Sequence, residues 1–320
     1  LEAMAAAGVE PAEPIAQKLL SGKLVRFRAE GDSKGRRNGW ARLHLDGRPA
    51  GAFGNWRTGK RETWSADRNG RKLTPAEKRH WATEIRKAEA ERRAEKEALQ
   101  AAAARNAVAL WDSADRPNPA HSYLVRKGLL PFGILQRGAE LIVPMVDPSF
   151  RLLNVQRIRA DGFKLFMKGG RTAGLFWPHA LTGCDGRPIP GPVVIAEGFA
   201  TAARIHQATG FGVAAAMSAA NLQAVAKAMR SRFPNRDLIV AADDDAGQPK
   251  NTGIDCAKIA AQAIDGLLAF PARPEAERRC NIDFADLTDA AIVAGINGAS
   301  PWDANDAAQI ARAREEVSHG

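Results

Sequence analysis

The chain has 320 residues, 45% of them hydrophobic and 26% charged, with a formal net charge of +10. That length accommodates two domains with their own cores. No apolar run approaches the roughly 18 residues of a membrane span and no charged-then-apolar leader opens the chain, so neither a membrane protein nor a secreted one is expected.

Three cysteines, Cys184, Cys256 and Cys280, lie too far apart for a zinc or disulfide framework and suit a reducing cytoplasm. The opening Leu-Glu-Ala-Met reads as a cut into a longer protein, so a fragment is expected. Charge is uneven: residues 191–300 hold twelve acids and ten bases, 301–320 four acids and two bases, which leaves +14 for the first 190. A basic part beside a slightly acidic one suggests a polyanion held by the first and processed by the second.

In chain order, 23–72 reads as a small β-rich module, because "KLVRFRAEG", "GWARLHLDG", "GAFGNW" and "RETWSA" alternate apolar and polar residues between Gly-bearing turns. Its bases, among them Arg26, Arg42, Arg57 and Arg61, interleave with Trp40, Phe53, Trp56 and Trp64. Cations and flat rings together suit single-stranded nucleic acid, whereas a domain this small needs such rings for its core. "GNWRTGK" satisfies G-x-x-x-x-G-K, but Arg61 follows where a phosphate loop needs Ser or Thr and a helix, so an ATPase loop is rejected.

From Thr74, an N-cap followed by Pro75 and the capping-box partner Glu77, a long helix runs toward "RPNPA" at 116–120. Its centre has no broad apolar face and reads as an exposed spacer. "SYLVRKGL" then predicts a short helix, and "LIVPMVD" and "LLNVQRIR" predict antiparallel strands followed by "GFKLFMKGGRTAGLFW".

From Pro192 the pattern becomes strand "VVIAEG", helix 199–209, strand "GVAAAM", helix 219–232, strand "LIVAAD", helix 254–264 and strand "LLAF". Alternating strands and helices of this kind build a parallel sheet flanked by helices, with function at the carboxyl ends of the strands. Glu197 ends the first of these strands and Asp243, Asp244 and Asp245 end the third. If those strands are neighbours, Glu197 converges with the aspartates. Asp243 and Asp245 then share one side, and their oxygens suit Mg²⁺. An aspartate at a strand end also simply caps the next helix, and the residues alone leave that open.

"VVIAEGFATAARIHQATG", "ANLQAVAKAMRSRFPNRDLIVAADDD" and the following "NTG" resemble the Toprim domain, in the form found in plasmid and phage primases of the TraC type. The pattern is Glu197-Gly198 and Asp243-x-Asp245. Upstream, "SYLVRKGL", "LIVPMVD", "LLNVQRI" and "GFKLFMKGG…GLFW", within 121–177, are similar to the basic half of the RNA polymerase domain of bacterial DnaG-type primases.

The resemblance implies an α/β architecture: a Rossmann-like parallel Toprim sheet, preceded by a mixed basic primase subdomain and the β-rich module, joined by the long helix. The expected divisions are 1–72, 73–116, 117–190, 191–300 and a tail 301–320. It implies a DNA primase, a nucleotidyltransferase making short RNA primers in plasmid or phage replication or conjugation.

Glu197, Asp243 and Asp245, with Asp283, would hold Mg²⁺ or Mn²⁺, and Glu197 is ligand or general base. Lys164 would take a catalytic part and, with Arg157, Lys168 and Arg171, bind substrate or nucleic acid, while Asn251 and Gly253 shape the loop. Single-stranded DNA, ribonucleoside triphosphates and a replicative helicase are the implied partners.

The sequence departs from the family pattern at three points. Thr201 stands where these primases often carry Asp. The late motif reads Asp283-Phe-Ala-Asp286, displaced by one residue, so Asp283 is the metal candidate and Asp286 a cap. No Cys/His cluster supplies a zinc module, whose part falls to 23–72 or to a segment beyond this chain. A Toprim-class nuclease and a non-catalytic single-stranded-DNA-binding accessory remain as alternatives. A type IA topoisomerase would need Tyr123, the single tyrosine, as nucleophile.

Overall fold

A computed structural model describes residues 1–33, 35–44, 49–65, 75–183, 185–248, 251–271 and 281–302. The chain divides into two compact units, Leu1–Lys87 and Ala88–Gly320.

In the first unit, strands β1 (Val25–Phe27), β2 (Gly39–His44), β3 (Ala50–Asn55) and β4 (Lys60–Ser65) form an antiparallel meander in that order. Period-2 alternation places Val25, Phe27, Ala41 and Phe53 on one face. There they pack with Met4 of helix α1 (Glu2–Ala6), with Val9 and Ile15, and with Leu19 of helix α2 (Ala16–Leu19). The phosphate-loop look-alike is the β3–β4 hairpin: Asn55 Oδ1 accepts from the Arg57 amide at 2.9 Å, and Gly59 takes φ +70° to close the turn.

Helix α3 (Pro75–Asp112) is exposed along 89–99. Thr74, its expected cap, lies outside the described residues. The last turns depart from the spacer reading, because Ala103 and Ala107 are buried and Ala107 packs on Ile142 and Val155. Alanines four apart give a helix a narrow flat seam for close approach to a sheet, too narrow to register as a broad apolar face.

Helix α4 (Ser122–Lys127) starts at His121, whose Nδ1 accepts the Tyr123 amide, and ends at Gly128 with φ +60°. Strands β5 (Leu135–Arg137), β6 (Glu140–Val146), β7 (Leu152–Ile158) and β8 (Lys164–Phe166) form a second antiparallel sheet in chain order.

The third sheet is six-stranded. Its parallel centre comprises β10 (Val193–Ala196), β11 (Gly212–Ala215), β12 (Leu238–Ala241) and β13 (Leu267–Ala269). Two short strands, β9 (Trp177–His179) and β14 (Ser300–Pro301), close its edges antiparallel, in the order β14-β13-β12-β10-β11-β9. Between the strands run α5 (Phe199–Thr209), α6 (Leu222–Arg232) and α7 (Thr252–Gln262), and α8 (Asp289–Asn297) follows β13.

Alternate strand residues face opposite layers: Val194, Ala196, Val213 and Ile239 pack with α5 and α8, Val193, Ile195, Ala214 and Val240 with α6 and α7. The first of these cores continues through Trp177 into Leu141, Val143 and Ile158 of the antiparallel sheet. The two sheets of the second unit therefore share one core, with no break near residue 190.

Candidate active site

Strand β10 pairs with β11 on one side and β12 on the other. Helix α5 carries the chain from β10 to β11 and α7 carries it from β12 the other way to β13, so the connections diverge above β10 and β12. At such a switch point the carboxyl ends open a crevice. Glu197 follows β10 directly, and Asp243 stands two residues past the end of β12. Parallel pairing across a distance of 46 residues in sequence thus brings the two acidic motifs to one rim.

The acidic loop is braced at each step. Asn251, the N-cap of α7, accepts from the Ile254 amide at 3.3 Å and from the Asp245 amide at 3.0 Å, and donates to Asp244 Oδ1 at 2.6 Å. Asp245 Oδ2 accepts the Gly253 amide at 3.0 Å. A Cβ at Gly253 would collide with the Asp243 carbonyl, so glycine lets the helix start against the loop. Asp244, buried and tied to Asn251, exchanges both backbone hydrogen bonds with Ile282 at 2.9 and 3.0 Å. That two-bond bridge docks the next residue, Asp283, beside the loop.

The electrostatics shows how crowded these acids are. Burial raises the Asp243 carboxyl to about 8, and Asp283, Glu197 and Asp245 push the same way while Lys164 opposes them. Glu197 is raised by burial and then by Asp245, against a hydrogen bond from the Ala219 amide and the charge of Lys164. Asp283 is raised by burial and by Asp286, against Lys127, the Ala285 amide and Lys164. Asp243 Oδ1 is buried with no hydrogen-bond partner. A desolvated carboxylate oxygen surrounded by like charges calls for a proton or a cation.

Lys164 faces this cluster from β8. The residue is exposed at its strand, but protein crowds its ammonium: burial lowers its pKa while Asp283, Asp243 and Glu197 hold it up. The second cation, Lys127, ends α4, the short helix that the sequence predicts; its Nζ lies 3.0 Å from Asp286 Oδ1. A lysine in a helix's last turn looks like ordinary dipole chemistry, so no local signal marked it.

Asp283 and Asp286 form a capping box, Asp283 accepting from the Ala285 amide at 2.6 Å and Asp286 from the Asp283 amide at 3.2 Å. The metal candidate and the expected cap therefore both cap.

Arg157, Arg171 and Lys168 are the remaining basic candidates from the sequence. Ile158 pairs with Lys164 and Arg157 with Leu165. Opposed residues share a face and successive ones alternate, so Arg157 points to the side opposite Lys164. There its Nε lies 2.9 Å from Glu140 Oε2, a carboxylate it shares with Arg159, whose Nε stands 3.5 Å from Oε1. Arg157 and Lys164, which the resemblance groups together, thus stand on opposite faces of this sheet, one position of strand parity apart. Arg171 Nε donates to the carbonyl of Ala173 at 2.8 Å and closes its own loop. Lys168 is exposed just past β8 and, among the described residues, forms no ion pair.

Asn221 is a residue that sequence reasoning missed. It is buried, its Nδ2 donating to the carbonyls of Thr172, Leu175 and Ala216 and its Oδ1 accepting the Gly174 amide at 2.7 Å. It thereby ties the 172–175 loop to the carboxyl end of β11. Tyr123 is buried, its hydroxyl without a hydrogen-bond partner and pushed up to about 12 by burial, which removes the nucleophile a topoisomerase would need.

Among the described residues, no three His, Cys, Asp or Glu side chains stand close enough to enclose a metal ion. An all-carboxylate donor set with an orphaned buried oxygen still fits a hard divalent cation, since Mg²⁺ is commonly held by one or two carboxylates with water and substrate phosphate supplying the rest. No helix among the described residues is long and apolar enough to cross a membrane.

Residues 192–309 match the family described as Toprim domain. Two curated relatives, each named DNA primase TraC, from Escherichia coli, are 38% identical over 264 residues and 34% identical over 280. The matches cover 79% and 84% of this chain but 24% and 19% of those proteins, so the chain spans a quarter or less of their length. Among solved structures, the Aquifex aeolicus primase (zinc-binding and RNA polymerase domains) aligns with 91% of this chain and 84% of its own at 12% identity and a TM-score of 0.43.

Proposed function

We propose that this chain, whose residues 192–309 are a Toprim domain, is the catalytic part of a DNA primase that makes short RNA primers on single-stranded DNA from ribonucleoside triphosphates. The observation that carries the reading is the crowded carboxylate group of Glu197, Asp243, Asp245 and Asp283 at the switch point, with an unpartnered buried oxygen and a lysine facing it. The names of the two relatives support the same reading.

In the reaction a primer 3′-oxygen bonds to the α-phosphorus of the incoming triphosphate, and the bond to the β-phosphate breaks to release pyrophosphate. Asp243, through its unpartnered Oδ1, and one more of Glu197, Asp245 and Asp283 would hold Mg²⁺ or Mn²⁺, which when bound offsets phosphate charge and orients reacting oxygens. Lys164 neutralises triphosphate oxygens from the opposite wall, and its partly desolvated ammonium does so strongly. Glu197, whose pKa burial raises, is suited to accept the proton leaving the 3′-hydroxyl. Asn251 and Gly253 keep the loop rigid. A replicative helicase would expose the template in the cytoplasm.

The test is primer synthesis: the full chain with single-stranded DNA, labelled ribonucleotides and Mg²⁺ or Mn²⁺, beside Asp243→Ala/Asp245→Ala. Template-dependent oligoribonucleotides from the parent and none from the variant are expected. DNA cleavage by the parent without synthesis would replace the proposal with a nuclease, and binding without chemistry would replace it with an accessory protein.

A further inference from the structure

The meander of the first unit has one covered face and one open one. Register assigns the open face row by row: Arg26, Trp40, Gly54 and Arg61 stand opposite one another across the four strands, followed by Arg42, Ala52 and Thr63. The Trp56 amide bonds to the Asn38 carbonyl, which continues the same parity and puts Trp56 on this face. Glu62, the one acid within the four strands, pairs with Phe53 on the covered side, so these strand positions of the open face carry bases and no carboxylate.

The rings on this face are arranged as a platform. A Cβ at Gly54 would come within 2.9 Å of the Trp40 ring, so the indole lies down over the glycine, and Ala52 beside it leaves the middle of the sheet low. Trp56 stands 5.9 Å from Trp40, centroid to centroid, with an interplanar angle of 31°. The Arg26 guanidinium lies 4.7 Å above the Trp56 ring. Trp56 nevertheless keeps 50% of its surface exposed. Among the described residues Arg26, Arg28 and Arg61 form no ion pair, and from Lys23 to Ser65 eleven bases stand against four acids.

Uncompensated arginines bordering a pair of indoles, one exposed and one half-buried, match a strand of phosphates with unstacked bases. Duplex DNA would hide its bases from the rings, and an acidic protein would leave them idle.

We propose that the open face of the β1–β4 sheet binds single-stranded DNA, with Trp56 and Trp40 stacking on bases and Arg26 and Arg61 on the flanking phosphates. The choice of DNA over RNA rests on the proposed function; the surface itself does not depend on the carboxylate site.

The test is fluorescence anisotropy of the full chain with labelled oligo(dT), oligo(rU) and a duplex, in EDTA and without nucleotides. Trp56→Ala with Arg61→Glu is expected to weaken oligo(dT) binding at least about tenfold and to flatten its salt dependence by about one phosphate contact, while Trp56→Phe binds as the parent does. Thermal melts of each variant separate lost binding from lost folding: a variant that melts early is replaced by Arg61→Glu alone, which sits on an exposed strand.

Parent-like affinity in the folded variants would overturn the proposal, as would duplex bound as tightly as oligo(dT). Tighter binding of oligo(rU) would overturn its assignment to DNA. If the parent makes no primer but the variants lose binding, the primase reading fails and this surface stands. Primer synthesis with unchanged binding by the variants gives the reverse.

Discussion

Replacing Asp243 by asparagine removes a charge that the fold tolerates poorly while keeping the shape of the protonated carboxyl. The parent carboxyl is raised from 3.8 to about 8, so the folded chain keeps a proton that the unfolded chain releases. Stability from this group is therefore fully present below pH 3.8 and is lost as pH rises toward about 8. Each pKa unit corresponds to about 1.4 kcal/mol, so ionising Asp243 costs the metal-free fold on the order of 2–5 kcal/mol.

The amide that replaces the carboxyl in Asp243→Asn cannot ionise. Parent and variant should melt together near pH 4 and diverge steadily above it, the variant being about 5–15 °C more stable at pH 8.5 in EDTA. The assay is a set of thermal melts from pH 4 to 9, repeated with Mg²⁺ or Mn²⁺, where the cation should raise the parent toward the variant. A gap that is constant with pH, or a parent that is the more stable form at pH 8.5 without metal, would refute the account of Asp243 as a desolvated, unneutralised acid.

Strand parity separates two cations that look equivalent in the sequence. Lys164→Ala should lower primer synthesis by about a hundredfold or more with little change in melting temperature, whereas Arg157→Ala should lose about 1 kcal/mol through Glu140 and keep most synthesis; equal effects on synthesis would contradict the opposed faces. Asn221→Ala leaves the carbonyls of Leu175 and Ala216 and the Gly174 amide without their side-chain partner, while the Thr172 carbonyl keeps the Leu175 amide. A loss of about 2–4 kcal/mol in denaturant melts and faster amide exchange in 172–175 are expected. Tyr123→Phe removes a hydroxyl that has no hydrogen-bond partner, so stability should hold or rise by a few tenths of a kcal/mol and synthesis should persist. Loss of all synthesis in that variant would give the hydroxyl a chemical role.

Much of the second unit was legible because its signals are local. Four short, wholly apolar strands separated by amphipathic helices can be buried on both faces in few ways other than as a parallel sheet, and helix 199–209 is found at the expected residues. Glu197-Gly198 and the aspartate triplet at strand ends were likewise visible in one dimension, as was Asn251 as a loop residue.

What tertiary structure decided is which of these groups meet. The β10–β12 pairing joins Glu197 to Asp243, and the Asp244–Ile282 bridge delivers Asp283. Lys127 reaches Asp286 across 159 positions, and Asn221 ties loops nearly fifty positions apart. The same holds for parity: Arg157 and Lys164 both read as bases on strands, and it takes the register of β7 with β8 to put one on Glu140 and the other on the acids.

A strand's alternation tells which residues share a side but not what that side faces. Facing depends on neighbours distant in sequence, whose pairing is set by burial of the whole sheet. The sequence alone determined the elements and the types of chemistry they carry; only the packed sheets decided which charges stand close enough to shift one another's protons.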